Sequence, residues 1–225
     1  MYGYGLSNGG LSASLLFCEA EMRFRNVSIM TDKRQRCAWV GENALMTAYH
    51  DNEWGVPVHD DQTLFEFLIL EGAQAGLSWQ TVLNKRENYR AAFEGFDPVK
   101  IARYAARDSV RLLANAGIIR NRLKIAAAIE NAKRFLVVQK EFGSFAVYLW
   151  QFVGGNPIDH RIKEMRDIPA TTKESDVMSR DLMHRGFKFV GSTICYAFMQ
   201  AVGMVNDHQL HCFRSNETRH TMCST

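Results

Sequence analysis

Proline is scarce in this chain, four in 225 residues, and runs of β-branched residues are few. Both shortages lean the chain toward helix. No apolar run reaches the roughly 18 residues that a membrane-spanning helix needs, so no membrane partner is expected. No repeat and no low-complexity tract is present, which sets aside repeat architectures. Charge of one sign is not dominant either, with a formal net charge of +3. The five cysteines, Cys18, Cys37, Cys195, Cys212 and Cys223, are odd in number and irregular in spacing. The first residues lack the basic start of a secretion signal. Together these features argue against a disulfide framework and for reduced thiols in a cytoplasmic protein. In that setting a Cys/His pattern points to metal or catalysis.

What is present reads as helices joined by short loops, so the expected fold class is all-α. "DDQTLFEFLILEGAQAG" opens on an aspartate cap and stops at Gly. "FDPVKIARYAAR" has Asp97 as cap and Pro98 at the first helical position. "DSVRLLANAG" starts at Asp108 and ends near Gly117. "IRNRLKIAAAIENAKRFLVVQKEFG" is a long helix closed by Gly143, and "SFAVYLWQFVGG" follows with Ser144 as cap. "SDVMSRDLMHRG" ends at Gly186. "STICYAFMQAVG" is apolar on nearly all sides and should be buried. Residues 1–29 look separate, a disordered or mis-called extension, because Met30 opens "MTDKRQRC" like a natural start. The helical domain is expected over 30–213, with 214–225 a flexible tail.

Charge is concentrated in the middle. From Lys85 to Lys140 there are 13 Lys or Arg against 5 Asp or Glu. Such an excess suits a polyanion-facing surface, and it equally suits solvated helix faces. Inside it, "RLLANAGIIRNRLKIAAAI" joins two amphipathic helices by a turn at Gly117, followed at once by Arg120, Arg122 and Lys124. Outward N–H groups in the turn and at the second helix start favour a phosphate. The stretch resembles a helix-hairpin-helix unit that grips DNA backbone without reading sequence, although an ordinary helical hairpin explains it too.

Two further features invite chemistry. With Leu64 on the inner face of its helix, Phe67, Leu68 and Glu71 fall on that face as well. A carboxylate there is costly unless it is paired or lines a pocket; alternatively it reaches water from a fraying last turn. Trp39, Trp54 and Trp79 lie within 41 residues that also hold Tyr49. Aromatic walls with one acid suit a flat or cationic base, while core packing would also gather tryptophans. Near the end, "VNDHQLHCF" puts His208 and Cys212 four apart, on one face if helical. That is half of the four-ligand set a structural zinc requires.

"RCAWV", "AYHDNEWGVP", "LEGAQAGLSWQTVLNKRENYR", "FDPVKIA", "AGIIRNRLKI" and "RGFKFVGSTICYAFMQAVGMVNDH", in this order, resemble the DNA-3-methyladenine glycosylase I family from about Arg36 to about Cys212. The resemblance implies a helix-hairpin-helix glycosylase-like helical domain acting on double-stranded alkylated DNA. It implies flipping and hydrolytic release of 3-methyladenine, without lyase activity. It supplies the missing ligands: Cys37 and His50 join His208 and Cys212 around one structural zinc that ties the chain ends together. His211 is the rival ligand. It makes Glu71 the base-recognising acid and Tyr49 and Trp79 base contacts, with Trp39 and Trp54 completing the wall. Gly76 and Leu77 are expected against the gap left in the duplex, Leu77 as a wedge. A monomer is expected, cytoplasmic and associated with a bacterial nucleoid. The competing reading is a non-catalytic, zinc-stabilised DNA lesion-binding module. A zinc hydrolase unrelated to DNA is disfavoured by the two cysteine ligands, which leave no open metal position.

Overall fold

The structure, a computed structural model, describes the backbone of residues 34–222 and side chains to 217. The expected extension 1–29 lies outside the described residues. Eleven α-helices follow one another among those described: α1 (Ala44–Asn52), α2 (Asp61–Gln74), α3 (Trp79–Leu83), α4 (Arg86–Ala92), α5 (Pro98–Ile101), α6 (Ala106–Ala114), α7 (Arg122–Phe142), α8 (Phe145–Trp150), α9 (Lys173–His184), α10 (Ser192–Ala201) and α11 (Phe213–Met222). One feature departs from the all-α expectation. Two-residue strands, β1 (Ile158–Asp159) and β2 (Val205–Asn206), pair in parallel with Ile158 opposite Val205.

Helix α2 is the axis of the core. Asp60 caps it by accepting from the Thr63 N–H, satisfying one orphan donor of the first turn. Asp61, one residue in, accepts from Gln139 Nε2 and from the Phe145 and Ala146 N–H groups. One carboxylate thereby ties the start of α2 to the junction of α7 and α8. From Leu64 to Ala73 every residue of α2 is buried, so the helix is covered by protein on all sides along this stretch. Helices α7, α8 and α10 pack around it.

The turn after α10 fixes a second junction. Gly203 has φ +70°, and a Cβ there would stand 2.3 Å from the Val56 carbonyl carbon. Only glycine permits that approach. It lets Val58 N–H donate to Val202 O and Gly55 N–H to Gln200 O, which sets the segment after α1 against the end of α10.

Local expectations and observations differ in places. The helix expected to start at Asp108 begins at Ala106, and Asp108 instead accepts from the Ala105 N–H. "FDPVKIARYAAR" is not one helix: α5 stops at Ile101 after a single turn. The sequence puts the end of the domain at 213, yet α11 begins there, with Ser215 buried and its carbonyl accepting from Asn206 Nδ2.

Candidate functional site

Helices α1, α2 and α10 and the start of α3 enclose a cavity of about 240 Å³. Glu71 and Gln74 reach it from α2, Met46 and Tyr49 from α1, Trp79 from α3, and Ala197 and Gln200 from α10. Trp39 and Trp54 close one side, and Met165 and Ile168 the rim. The aromatic rings form a continuous wall. Tyr49 lies 5.2 Å from Trp79 at 45°, and Trp39 meets Trp54 edge-on at 5.0 Å.

Glu71 begins the last turn of α2, yet at 4 % exposed it is buried and does not reach water from a frayed end. Burial alone pushes its carboxyl up to about 8. Its Oε2 has no hydrogen-bond partner among the described residues, nor do the indole Nε1 atoms of Trp39 and Trp79. Three buried polar atoms without partners, all around one cavity, are an unfilled demand for hydrogen bonds. Tyr49 is held well above its usual range by burial and by the neighbouring Glu71 charge. Glu66, on the other side of α2, is by contrast fully paired. It accepts from Arg86 Nε at 2.5 Å and from Arg90 Nε at 3.0 Å, and Arg86 also reaches Glu53 at 2.6 Å.

A second cavity of about 210 Å³ shares Glu71, Gln74 and Ala197 with the first and continues to Gly76, Leu77 and Thr193. Gly76 has φ +78°, and Leu77 beside it is 41 % exposed. A large apolar side chain held out at a cavity mouth fits a wedge.

Behind the aromatic wall sit the four expected metal ligands. Cys37, His50, His208 and Cys212 are all buried, with their donor atoms within 4.8 Å of one another. Cys37 Sγ lies 3.5 Å from His208 Nδ1, Cys212 Sγ 3.4 Å from His50 Nε2 and 3.6 Å from His208 Nδ1. A tetrahedral zinc with ordinary Zn–S and Zn–N bonds spaces sulfur from nitrogen by about 3.5 Å. The donor set therefore fits that ion. Each histidine is oriented from behind: His50 Nδ1–H donates to Asp51, itself clamped by Arg36, and His208 Nε2–H donates to Trp54 O. These bonds leave His50 Nε2 and His208 Nδ1 as the lone-pair nitrogens facing the thiols. The hydrogen bond between the thiols holds Cys212 low and Cys37 high. At Gly55 a Cβ would lie 2.9 Å from His208 Nε2, so glycine makes room for the ring. His211 is exposed and outside the cluster. Trp54 meets the His208 ring edge-on at 4.7 Å, and Trp39 the His50 ring at 5.3 Å. The cluster thus backs the cavity wall directly.

The hairpin of α6 and α7 differs from the sequence expectation. Its N–H groups are largely spent internally: Gly117 on Asn115 Oδ1, Ile119 on the Tyr89 hydroxyl, Leu123 and Lys124 on Asn121 Oδ1. Lys124 is no free cation. Its Nζ donates to Ala73 O and Ala75 O at 2.7 Å, capping the carbonyl end of α2. Arg120 and Arg122 are exposed.

The residues that sequence reasoning missed are Met46, Gln74, Met165, Ile168, Ala197 and Gln200. Only Gln200 carried a signal, a lone amide in an otherwise apolar helix.

Residues 39–215 match the methyladenine glycosylase family. DNA-3-methyladenine glycosylase 1 of Escherichia coli is 53% identical over 178 residues, 79% of this chain and 95% of that protein. DNA-3-methyladenine glycosylase of Haemophilus influenzae is 49% identical over 79% of this chain and 96% of its own length. The structure of 3-methyladenine DNA glycosylase I from Staphylococcus aureus, described for its recognition of 3-methyladenine, superimposes with a TM-score of 0.78. It is 35% identical and covers 80% of this chain and 96% of its own.

Proposed function

The chain belongs to the methyladenine glycosylase family, and from that premise we propose that it excises 3-methyladenine from alkylated double-stranded DNA as a base-excision repair glycosylase. The observation that carries this reading is Glu71, buried, without a partner, and set among tryptophans in a cavity open to the surface.

Methylation at N3 puts positive charge on adenine and weakens its N-glycosidic bond. The leaving group is already good, so the protein's work is to extrude the base, hold it and admit water to the sugar carbon. Trp79 and Tyr49 stack against the flipped base, at roughly 1–3 kcal/mol per stacked base. A cationic ring over these aromatic faces gains a term that unmodified adenine lacks. Glu71 Oε2 accepts from the amino edge, and the cation draws the carboxyl toward its ionised form. Trp39 and Trp54 complete the wall. The deoxyribose occupies the second cavity, with Gly76 close to the backbone and Leu77 in the gap left by the base.

Hydrolysis without lyase activity is supported by the lining, which holds the Glu71 carboxyl and, among the described residues, no lysine. Glu130, on the helix after the hairpin, is half-buried and paired with Arg134 at 2.5 Å. Water therefore attacks a sugar cation whose nearest carboxylate is Glu71.

Cys37, His50, His208 and Cys212 hold one structural zinc, whose four protein ligands leave no position for substrate. Zinc there fixes the aromatic wall and clips the chain ends. Arg120 and Arg122 contact phosphates, while Lys124 shapes the loop that carries Gly76 and Leu77. The protein acts as a monomer in the cytoplasm, on the nucleoid. No helix among the described residues is long and apolar enough to cross a membrane.

The test is chromatography of bases released from methylated duplex DNA. Release of 3-methyladenine with 7-methylguanine left behind is expected. No release by folded, metal-loaded protein would leave a lesion-binding module in its place.

A further inference from the structure

On the cavity wall contributed by α10, a second acceptor is held in a fixed orientation by a buried carboxylate. Asp207 is 1 % exposed and receives three donors: His160 Nδ1 at 2.6 Å, the Tyr196 hydroxyl, and Gln200 Nε2 at 2.7 Å. Tyr196 and Gln200 are one turn apart on α10, so both reach the same carboxylate. A carboxylate accepts and an amide nitrogen donates. The amide of Gln200 is therefore locked with its nitrogen on Asp207. Its Oε1 accepts no hydrogen bond among the described residues, and the residue lines the same cavity as Glu71. A free glutamine side chain can offer either end to a ligand; this one offers an acceptor.

We propose that Gln200, locked by Asp207, is a specificity-determining residue that accepts a hydrogen bond from the exocyclic amino group of the flipped base. This deepens the glycosylase reading and rests on it. A 6-amino group carries two hydrogens, enough for Glu71 Oε2 and Gln200 Oε1 together. Alkylation places positive charge on the ring and strengthens that donor. A purine with a 6-oxo group offers an acceptor where Gln200 also offers one, leaving a desolvated pair of lone pairs without protons, which costs binding. The locked amide thus selects alkylated adenine over alkylated guanine by rejection as well as attraction.

Free bases test this, followed by quenching of the cavity tryptophans in the full, metal-loaded chain. The pair is 3-methyladenine and 3-methylpurine, which lacks the amino group. Gln200→Met keeps the length and loses the acceptor; Gln200→Asn, one methylene shorter, serves as a second variant. Melting temperature and zinc content report that each is folded. The expected result is about tenfold weaker binding of 3-methyladenine with 3-methylpurine unchanged. In methylated DNA the same variants should narrow the preference for 3-methyladenine over 3-methylguanine. Equal weakening for both bases would make Gln200 a packing residue, and unchanged binding of both would remove it from recognition; either overturns the proposal while the base pocket stands. Wild type that binds neither base would overturn the pocket reading along with it.

Discussion

Glu71 is a carboxyl group surrounded by aromatic rings where a counter-ion would ordinarily stand. Its folded value, about 8, lies above the ordinary 4.5, so the folded protein keeps a proton that the unfolded chain releases between those two values. Stability should therefore fall as pH rises through that window. Glu71→Gln has no proton to lose. It should match the wild type near pH 4.5 and melt progressively higher than it toward pH 8, a trend that calorimetry across that range would show. The position was legible in the sequence, since Leu64, Phe67, Leu68 and Glu71 share one helical face. Met165 and Ile168 were not legible: they reach the cavity from an irregular stretch around a 3-10 turn, Met165–Asp167, where no periodicity marks an inward side. Lys124 was legible as a cation and not as a cap, because its partners are carbonyls 51 and 49 residues away in sequence.

Among the elements, the hairpin of α6 and α7 separates two jobs that one run of basic residues conceals. Arg120→Ala and Arg122→Ala should each lower the salt slope of duplex binding by about one, as loss of a phosphate contact does. Lys124→Ala should leave that slope unchanged and lower the melting temperature, since it uncaps α2; filter binding at several salt concentrations together with thermal melts distinguishes them. Several helices, short ones included, were legible through their ends. Asp60, Asp97 and Ser144 cap α2, α5 and α8, and Gly143, at φ 86°, closes α7. Helices α3 and α4, of five and seven residues, span two turns or fewer, too little for a 3.6-residue period to declare itself. The β1–β2 pair, two residues to a strand, is likewise too short to leave an alternating pattern.

For the molecule as a whole, the Cys37, His50, His208 and Cys212 cluster brings together side chains from the two ends of the described domain behind the cavity wall, and the proposed zinc would tie them there. His50 and His208 lie more than 150 residues apart in sequence, so joining them removes much of the unfolded chain's freedom, about 5 kcal/mol for a loop of that length. For a domain of this size that corresponds to about 10 °C or more in melting temperature. Chelation, or Cys212→Ser, should produce such a drop together with loss of one zinc per chain, read by metal analysis and melting. That four distant residues converge was legible only through the family resemblance, because the spacing of Cys37 and His50 alone carries little information. The central claim is that a buried carboxylate among aromatic rings recognises the alkylated base. Its most direct test is single-turnover release of 3-methyladenine from methylated duplex by wild type and Glu71→Gln, both folded and zinc-loaded. A loss of about a hundredfold or more in the variant is predicted; release at the wild-type rate would contradict the account.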